Sequence, residues 1–192
     1  RARFGTDLVD HYTYVMCGDG DLQEGVSHEA CSLAGHLQLD KLIVLYDDNG
    51  ISIDGKTDLS FTEDTILRFQ SYGWAVDRID GHDYKQIDGA IAIAKANNRP
   101  TLIACKTHIG FGSPNKQDTA AAHGAPLGDD EITATKEALG IDYPAFEVPD
   151  EVLKNWRATT ERAKTKHADW QKRLEASSDQ TQFVDWLSGA YL

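Results

Sequence analysis

Short apolar runs alternate along the chain with longer stretches in which apolar residues recur every three or four positions. Residues 11–17, His-Tyr-Thr-Tyr-Val-Met-Cys, predict a strand that ends at Gly18, Asp19 and Gly20. Residues 22–39 predict one helix, with Val26, Ala30, Leu33 and Leu37 on a single face at the 3.6 period. Residues 42–46 are continuously apolar, as a strand covered on both faces requires, and Asp47, Asp48, Asn49 and Gly50 close it with turn residues. Thr62 can cap a helix running to about Tyr72, where Gly73 stops it. Residues 74–79 predict a strand. Asp83 caps a helix to about residue 96, with Ile87, Ile91 and Ala94 on one face, and Pro100 leads into a strand over 101–106. This order predicts an α/β fold, a parallel sheet with helices on both faces joined by right-handed crossovers.

Two segments break the rhythm. Residues 107–128 are rich in glycine, contain Pro114 and Pro126, and show no apolar period. A loop of that length inside a compact domain is usually functional or disordered. Beyond it the pattern is helical: 129–139, 149–174 and 181–187. The run from Lys154 to Lys172 reads as a solvated helix face, with Trp156, Trp170 and Trp186 as packing anchors. The expected division is therefore an α/β domain over 1–128 and a helical extension over 129–192. Doubly wound sheets usually have five or more strands. Here four are predicted and the first starts near the beginning of the chain, so the sheet is expected to be incomplete at its N-terminal side.

Charge narrows the choice of partner. With 31 Asp+Glu against 19 Lys+Arg, the net charge is −12. That disfavours nucleic-acid backbones and anionic membranes, which both attract excess cation. Residues 42–46 fall far short of the roughly 18 apolar residues of a membrane span, and the first residues lack the apolar core of a signal peptide. Cys17, Cys31 and Cys105 have neither disulfide parity nor metal-site spacing, which points to a reducing, cytoplasmic setting.

The candidate chemistry lies at the strand ends. Gly18 and Gly20 flank Asp19 where a strand hands over to a helix. Glycines let the backbone approach a phosphate, and the helix start offers N–H donors. Asn49 follows the next strand, about thirty positions on, the length of one βαβ unit. Adjacent parallel strands would bring both to the same sheet edge. Mg²⁺ takes octahedral oxygen ligands and usually keeps substrate phosphates among them. The Asp19 carboxylate, the Asn49 amide oxygen and the Ile51 carbonyl make such a set, and a neutral Asn avoids repulsion against a diphosphate. The plainer readings are a helix cap for Asp19, an ordinary turn at Asn49–Gly50 and a solvated loop residue for His123. His28, His36, His82 and His108 read as structural or surface residues.

GDG and a downstream Asn turn form the thiamine diphosphate fingerprint. GDGDLQEGVSHEACSLAGHLQLDKLIVLYDDNGISIDG, THIGFGSPNK and HGAPLG resemble transketolase, and the resemblance covers nearly the whole chain. It implies the thiamine diphosphate-binding fold, with Mg²⁺ or Ca²⁺ held by Asp19, Asn49 and the Ile51 carbonyl. It further implies Gly18 and Gly20 at the diphosphate, with Gly20 donating its backbone N–H, Ile53 and Ile109 at the cofactor ring, and His123 beside diphosphate and substrate as the catalytic residue. Glu24 and Glu29 match acidic residues near the family's subunit interface. Residues 116–122 depart from the pattern, with no histidine before His123.

The activity implied is transfer of a two-carbon ketol unit from a ketose phosphate to an aldose phosphate. The partners implied are sugar phosphates and either a second copy of the chain or a chain carrying the pyrimidine-binding domain, which supplies the activating glutamate and is expected after the helical linker. Deoxyxylulose-phosphate synthase and 2-oxoacid dehydrogenases share the GDG…N site but are not expected to carry IGFGSPNK with HGAPLG. The alternative of another class is a non-catalytic, truncated module that binds cofactor or pairs with a partner.

Overall fold

In the computed structural model, which describes residues 1–190, helix α1 (Gly5–Leu8) precedes strand β1 (Thr13–Cys17). There follow α2 (Asp19–Gln23), α3 (Gly25–His36), β2 (Leu42–Asp48) and a small hairpin of β3 (Ile51–Ser52) and β4 (Gly55–Lys56). Next come α4 (Thr65–Ser71), β5 (Ala75–Asp80), α5 (Tyr84–Ala96) and β6 (Thr101–Lys106). The chain closes with α6 (Asp129–Ala138), α7 (Asp150–Ala176) and α8 (Gln180–Leu187). It groups into two compact units, Tyr12–Asp142, and Arg1–His11 together with Tyr143–Leu192. These differ from the division expected after residue 128.

The larger unit is built on a four-stranded, wholly parallel sheet in the order β1-β2-β6-β5. The inner strands β2 and β6 are covered on both faces, which explains their unbroken apolar sequences. On one face Val44, Tyr46, Leu102 and Ala104 pack with Leu22, Ala34, Phe69 and Trp74. On the other, Ile43, Ile79, Ile103 and Cys105 pack with Ala90 and Ala94 of α5. Helices therefore cover both faces, as the pattern predicts. The register sets Cys17 opposite Tyr46 and Asp48 opposite Lys106, so β1, β2 and β6 end at one edge.

The helix expected over 22–39 is two helices. Glu24 takes an extended conformation (φ −64°, ψ 132°) and breaks it. The face expected to be buried is also different: Val26, Leu33 and Leu37 are exposed, while Ala34 and Gly35 turn inward. Small residues win that position because α3 lies very close to the chain after α4. A Cβ on Gly35 would stand 1.9 Å from the Tyr72 carbonyl oxygen, and the Trp74 indole N–H donates to the Cys31 carbonyl at 2.8 Å. Helix α4 is capped by Asp64, whose carboxylate accepts from the Leu67 N–H at 3.1 Å, rather than by Thr62. Asp83 caps α5 as expected. The hairpin β3–β4 escapes a periodicity reading because each strand has two residues.

In the smaller unit Phe4, Leu8, Leu174 and Phe183 form the core. The Trp170 indole N–H donates to the Leu8 carbonyl at 2.9 Å, so Trp170 is a packing anchor. Trp156 is not, being 74% exposed on the solvated face of α7, and Trp186 is half exposed beside Phe4. No helix among the described residues is long and apolar enough to cross a membrane.

Candidate functional site

The site starts from the turn after β1. The Gly18 N–H donates to Asp21 Oδ2 at 2.8 Å, which folds the chain back and sets Asp19 at the start of α2. Helix α2 is only five residues long. Few peptide dipoles align in it, so the expected phosphate site at a long helix N-terminus reduces to the bare backbone around Gly18 and Gly20. A Cβ on Gly20 would meet nothing within 4 Å, which leaves that backbone open to a ligand.

Asp19 is buried, with 5% of its surface exposed. Its Oδ1 accepts a short hydrogen bond from the Tyr46 hydroxyl. That bond follows from the register, because Tyr46 faces Cys17 across the strand pair, next to the GDG turn. Its Oδ2 is buried and has no partner among the described residues. Burial raises the Asp19 carboxyl above the usual carboxylate range; the Tyr46 bond opposes this, and the Asp48 and Asp47 charges add to it. A bare, buried carboxylate oxygen is costly unless paired or bound to a metal, and a divalent cation meets that need.

Asn49 is oriented by its neighbours. Its amide Nδ2 donates to Asp47 Oδ2 at 2.9 Å, and its Oδ1 accepts the Ile51 N–H at 2.9 Å. Asp47 is in turn held by the Thr107 hydroxyl from the end of β6. The Asn49 oxygen keeps a lone pair free for a hard cation. Among the described residues no group of three or more His, Cys, Asp or Glu side chains could hold a metal ion. A cation here would therefore add carbonyl, amide and ligand oxygens to the single Asp19 carboxylate, which suits Mg²⁺ or Ca²⁺ in company with a diphosphate.

Gly18, Asp19, Gly20, Asn49, Ile51, Ile53, Ile109 and His123 all line one cleft of about 670 Å³. Every residue expected at the site is thus brought to one place. Ile53 presents its side chain at the rim, 73% exposed, and His123 is exposed on the loop. Glu24 and Glu29 are exposed on α2–α3 and do not line the cleft. Three of the other histidines have partners: His28 Nδ1 is 2.9 Å from the Tyr72 hydroxyl, and His108 Nδ1 is 2.9 Å from the Asp118 carboxylate. His82 stacks on Phe111 and accepts the His108 backbone N–H. The thiol of Cys17 is pushed up to about 12, chiefly by burial, and stays protonated.

Sequence reasoning missed Tyr46 and Asp47. Tyr46 belongs to an apolar run and Asp47 to a turn, and neither pattern reveals a side chain that orients Asp19 or Asn49.

The sequence matches the family described as transketolase, thiamine diphosphate binding domain, over residues 1–185. It is 56% identical over 173 residues to "Transketolase 2" of Aliivibrio fischeri, covering 90% of this chain and 26% of that protein. The chain spans about a quarter of the length of the curated relatives it matches. Among solved structures it is similar to transketolase from Campylobacter jejuni (TM-score 0.91, 41% identity, 95% of this chain and 29% of that one). It is also similar to Pichia stipitis transketolase in complex with sedoheptulose 7-phosphate (TM-score 0.84, 44% identity, 92% of this chain and 26% of that one).

Proposed function

Because the chain belongs to the transketolase family, we propose that it forms the diphosphate- and cation-holding wall of a thiamine diphosphate site. The reaction is transfer of a two-carbon ketol unit from a ketose phosphate to an aldose phosphate. The observation that carries this reading is the buried, unpartnered Asp19 Oδ2 at the cleft that Asn49 and Ile51 also line.

When bound, thiamine diphosphate supplies a nucleophilic ring carbon and an electron sink for breaking and forming a C–C bond beside a carbonyl. The chain's own part is binding and orientation. Asp19, Asn49 and the Ile51 carbonyl hold Mg²⁺ or Ca²⁺, and the backbone at Gly18 and Gly20 meets the diphosphate. Ile53 and Ile109 give the ring apolar contact. His123, exposed at the cleft on the 107–128 loop, donates a hydrogen bond to diphosphate or sugar oxygens. Sugar phosphates are the substrates, and the working assembly is a homodimer or a pairing with a chain bearing the pyrimidine-binding domain, with Glu24 and Glu29 at the interface. The three free thiols suit the cytoplasm.

Calorimetric titration of thiamine diphosphate into the assembled enzyme tests the site. Binding is expected to require Mg²⁺ or Ca²⁺. Asp19→Ala removes the charged ligand and is expected to weaken retention at least tenfold, the scale of a lost charge-assisted contact. Unchanged, metal-independent binding in that variant would overturn the assignment.

A further inference from the structure

The loop 107–128 carries two cleft residues, Ile109 and His123, yet has almost no regular structure beyond a single turn over Ala120–Ala122. It is held from behind by α6. Glu131, in the first turn of α6, is buried with 8% of its surface exposed. Its Oε1 accepts from the Ser113 hydroxyl and, at 2.8 Å, from the Asn115 backbone N–H. Its Oε2 accepts from Asn115 Nδ2 at 2.9 Å. Both carboxylate oxygens are thus committed to one bend of the loop.

The bend relays that hold in both directions. Ser113 Oγ accepts the Lys116 N–H at 3.2 Å, and Lys116 Nζ donates to the Leu127 carbonyl at 2.8 Å, tying the bend to the far end of the loop. The Asp118 N–H donates to the Ile109 carbonyl at 3.0 Å, closing the near end. Gly110, at φ +62°, brings the backbone so close to Ala122 that a Cβ would lie 3.0 Å from the Ala122 Cβ, one residue before His123. Leu139, which follows α6, packs on Gly112 so tightly that a Cβ there would meet it at 2.6 Å. Helix α6 and the residue that caps it therefore grip the loop at two places, and of the two only Glu131 does so through hydrogen bonds to a charged group.

We propose that Glu131 is a positioning residue: by gathering Ser113 and Asn115, it sets the loop that presents Ile109 and His123 to the cleft and thereby governs, through Ile109 at the cofactor ring, retention of thiamine diphosphate with its cation. This rests on the cofactor reading given above. Glu131 touches neither the cleft nor a ligand, since it does not line it. Its effect passes through the loop.

The test compares wild type, Glu131→Gln, Glu131→Asp and Asn115→Ala in the assembled enzyme. The readouts are hydrogen exchange of backbone amides and calorimetric titration of thiamine diphosphate in the presence of Mg²⁺. In Glu131→Gln an amide NH₂ must face donors from Ser113 or Asn115. Exchange across 110–119 is expected to rise at least tenfold with β2 and β6 amides unchanged, and the cofactor Kd is expected to rise about tenfold. Asn115→Ala, which leaves the Ser113 and backbone bonds, is expected to fall between, and Glu131→Asp to recover part of the loss by restoring the charge. A loosened loop with an unchanged cofactor Kd would overturn the proposal while leaving the cofactor reading intact. Absence of Mg²⁺-dependent binding in wild type itself would overturn both.

Discussion

At the scale of single residues the proposed cation site has two side chains, Asp19 and Asn49, each oriented by a neighbour. Tyr46 occupies one oxygen of Asp19 and leaves the other bare, and Asp47 turns the Asn49 amide so that its oxygen stays available. Tyr46→Phe strips Asp19 of its one side-chain partner inside a buried site. It is expected to cost about 1–3 kcal/mol of folding stability, the range for an orphaned buried acceptor, read as a lower urea midpoint at unchanged slope. A midpoint equal to wild type would mean that the hydroxyl bond contributes nothing. His123 differs from these because it lies exposed on a loop. His123→Ala is expected to leave the fold intact and cofactor affinity largely kept, while kcat for ketol transfer falls. Unchanged steady-state kinetics at saturating cofactor would reduce it to a surface residue. Asp19 and Asn49 are legible as candidate chemistry because they end two strands about one βαβ unit apart, whereas His123 is legible only through the resemblance of HGAPLG to the family's motif. Tyr46 and Asp47 are not, since an aromatic in an apolar strand and an acid in a turn have ordinary explanations.

At the scale of elements, α6 and the 107–128 loop behave as one piece. The bonds from Ser113 and Asn115 lower the Glu131 carboxyl from its ordinary 4.5 to about 2. A group with a depressed folded pKa binds fewer protons folded than unfolded, so its contribution is complete above about 4.5 and is lost as pH falls toward about 2. The Asn115 amide resonance is therefore expected to titrate near pH 2 by NMR, and that transition to vanish in Glu131→Gln. A midpoint close to 4.5 would show that the loop does not hold the carboxylate. Helix α3 depends on a different contact. Gly35→Ala would drive a Cβ into the Tyr72 carbonyl. It is expected to destabilise the α/β unit by about 1–3 kcal/mol or more, as overpacking does, seen as a lower Tm. Helix period alone placed Val26, Leu33 and Leu37 inward; the close approach at Gly35 and the break at Glu24 rotate the packed face onto small residues.

At the scale of the whole chain, β1 ends the sheet with Tyr14, Val15 and Met16 exposed, Met16 by 85%. Apolar edge strands template pairing. The 192-residue chain alone is expected to self-associate with rising concentration, and Met16→Lys to reduce this in sedimentation without lowering Tm. Concentration-independent monomers would show that the edge is harmless. The four strands of the main sheet, their parallel direction and the arrival of Asp19 and Asn49 at one edge were determined by sequence, because two-faced burial demands continuous apolar runs and a βαβ unit returns each strand end to the same edge. The tertiary structure alone decided which oxygen of Asp19 stays bare, which face of α3 packs, and that Glu131 closes the loop onto Ser113 and Asn115. Periodicity records how often a residue is buried, whereas these choices depend on partners brought within hydrogen-bonding reach only after the sheet and helices have packed.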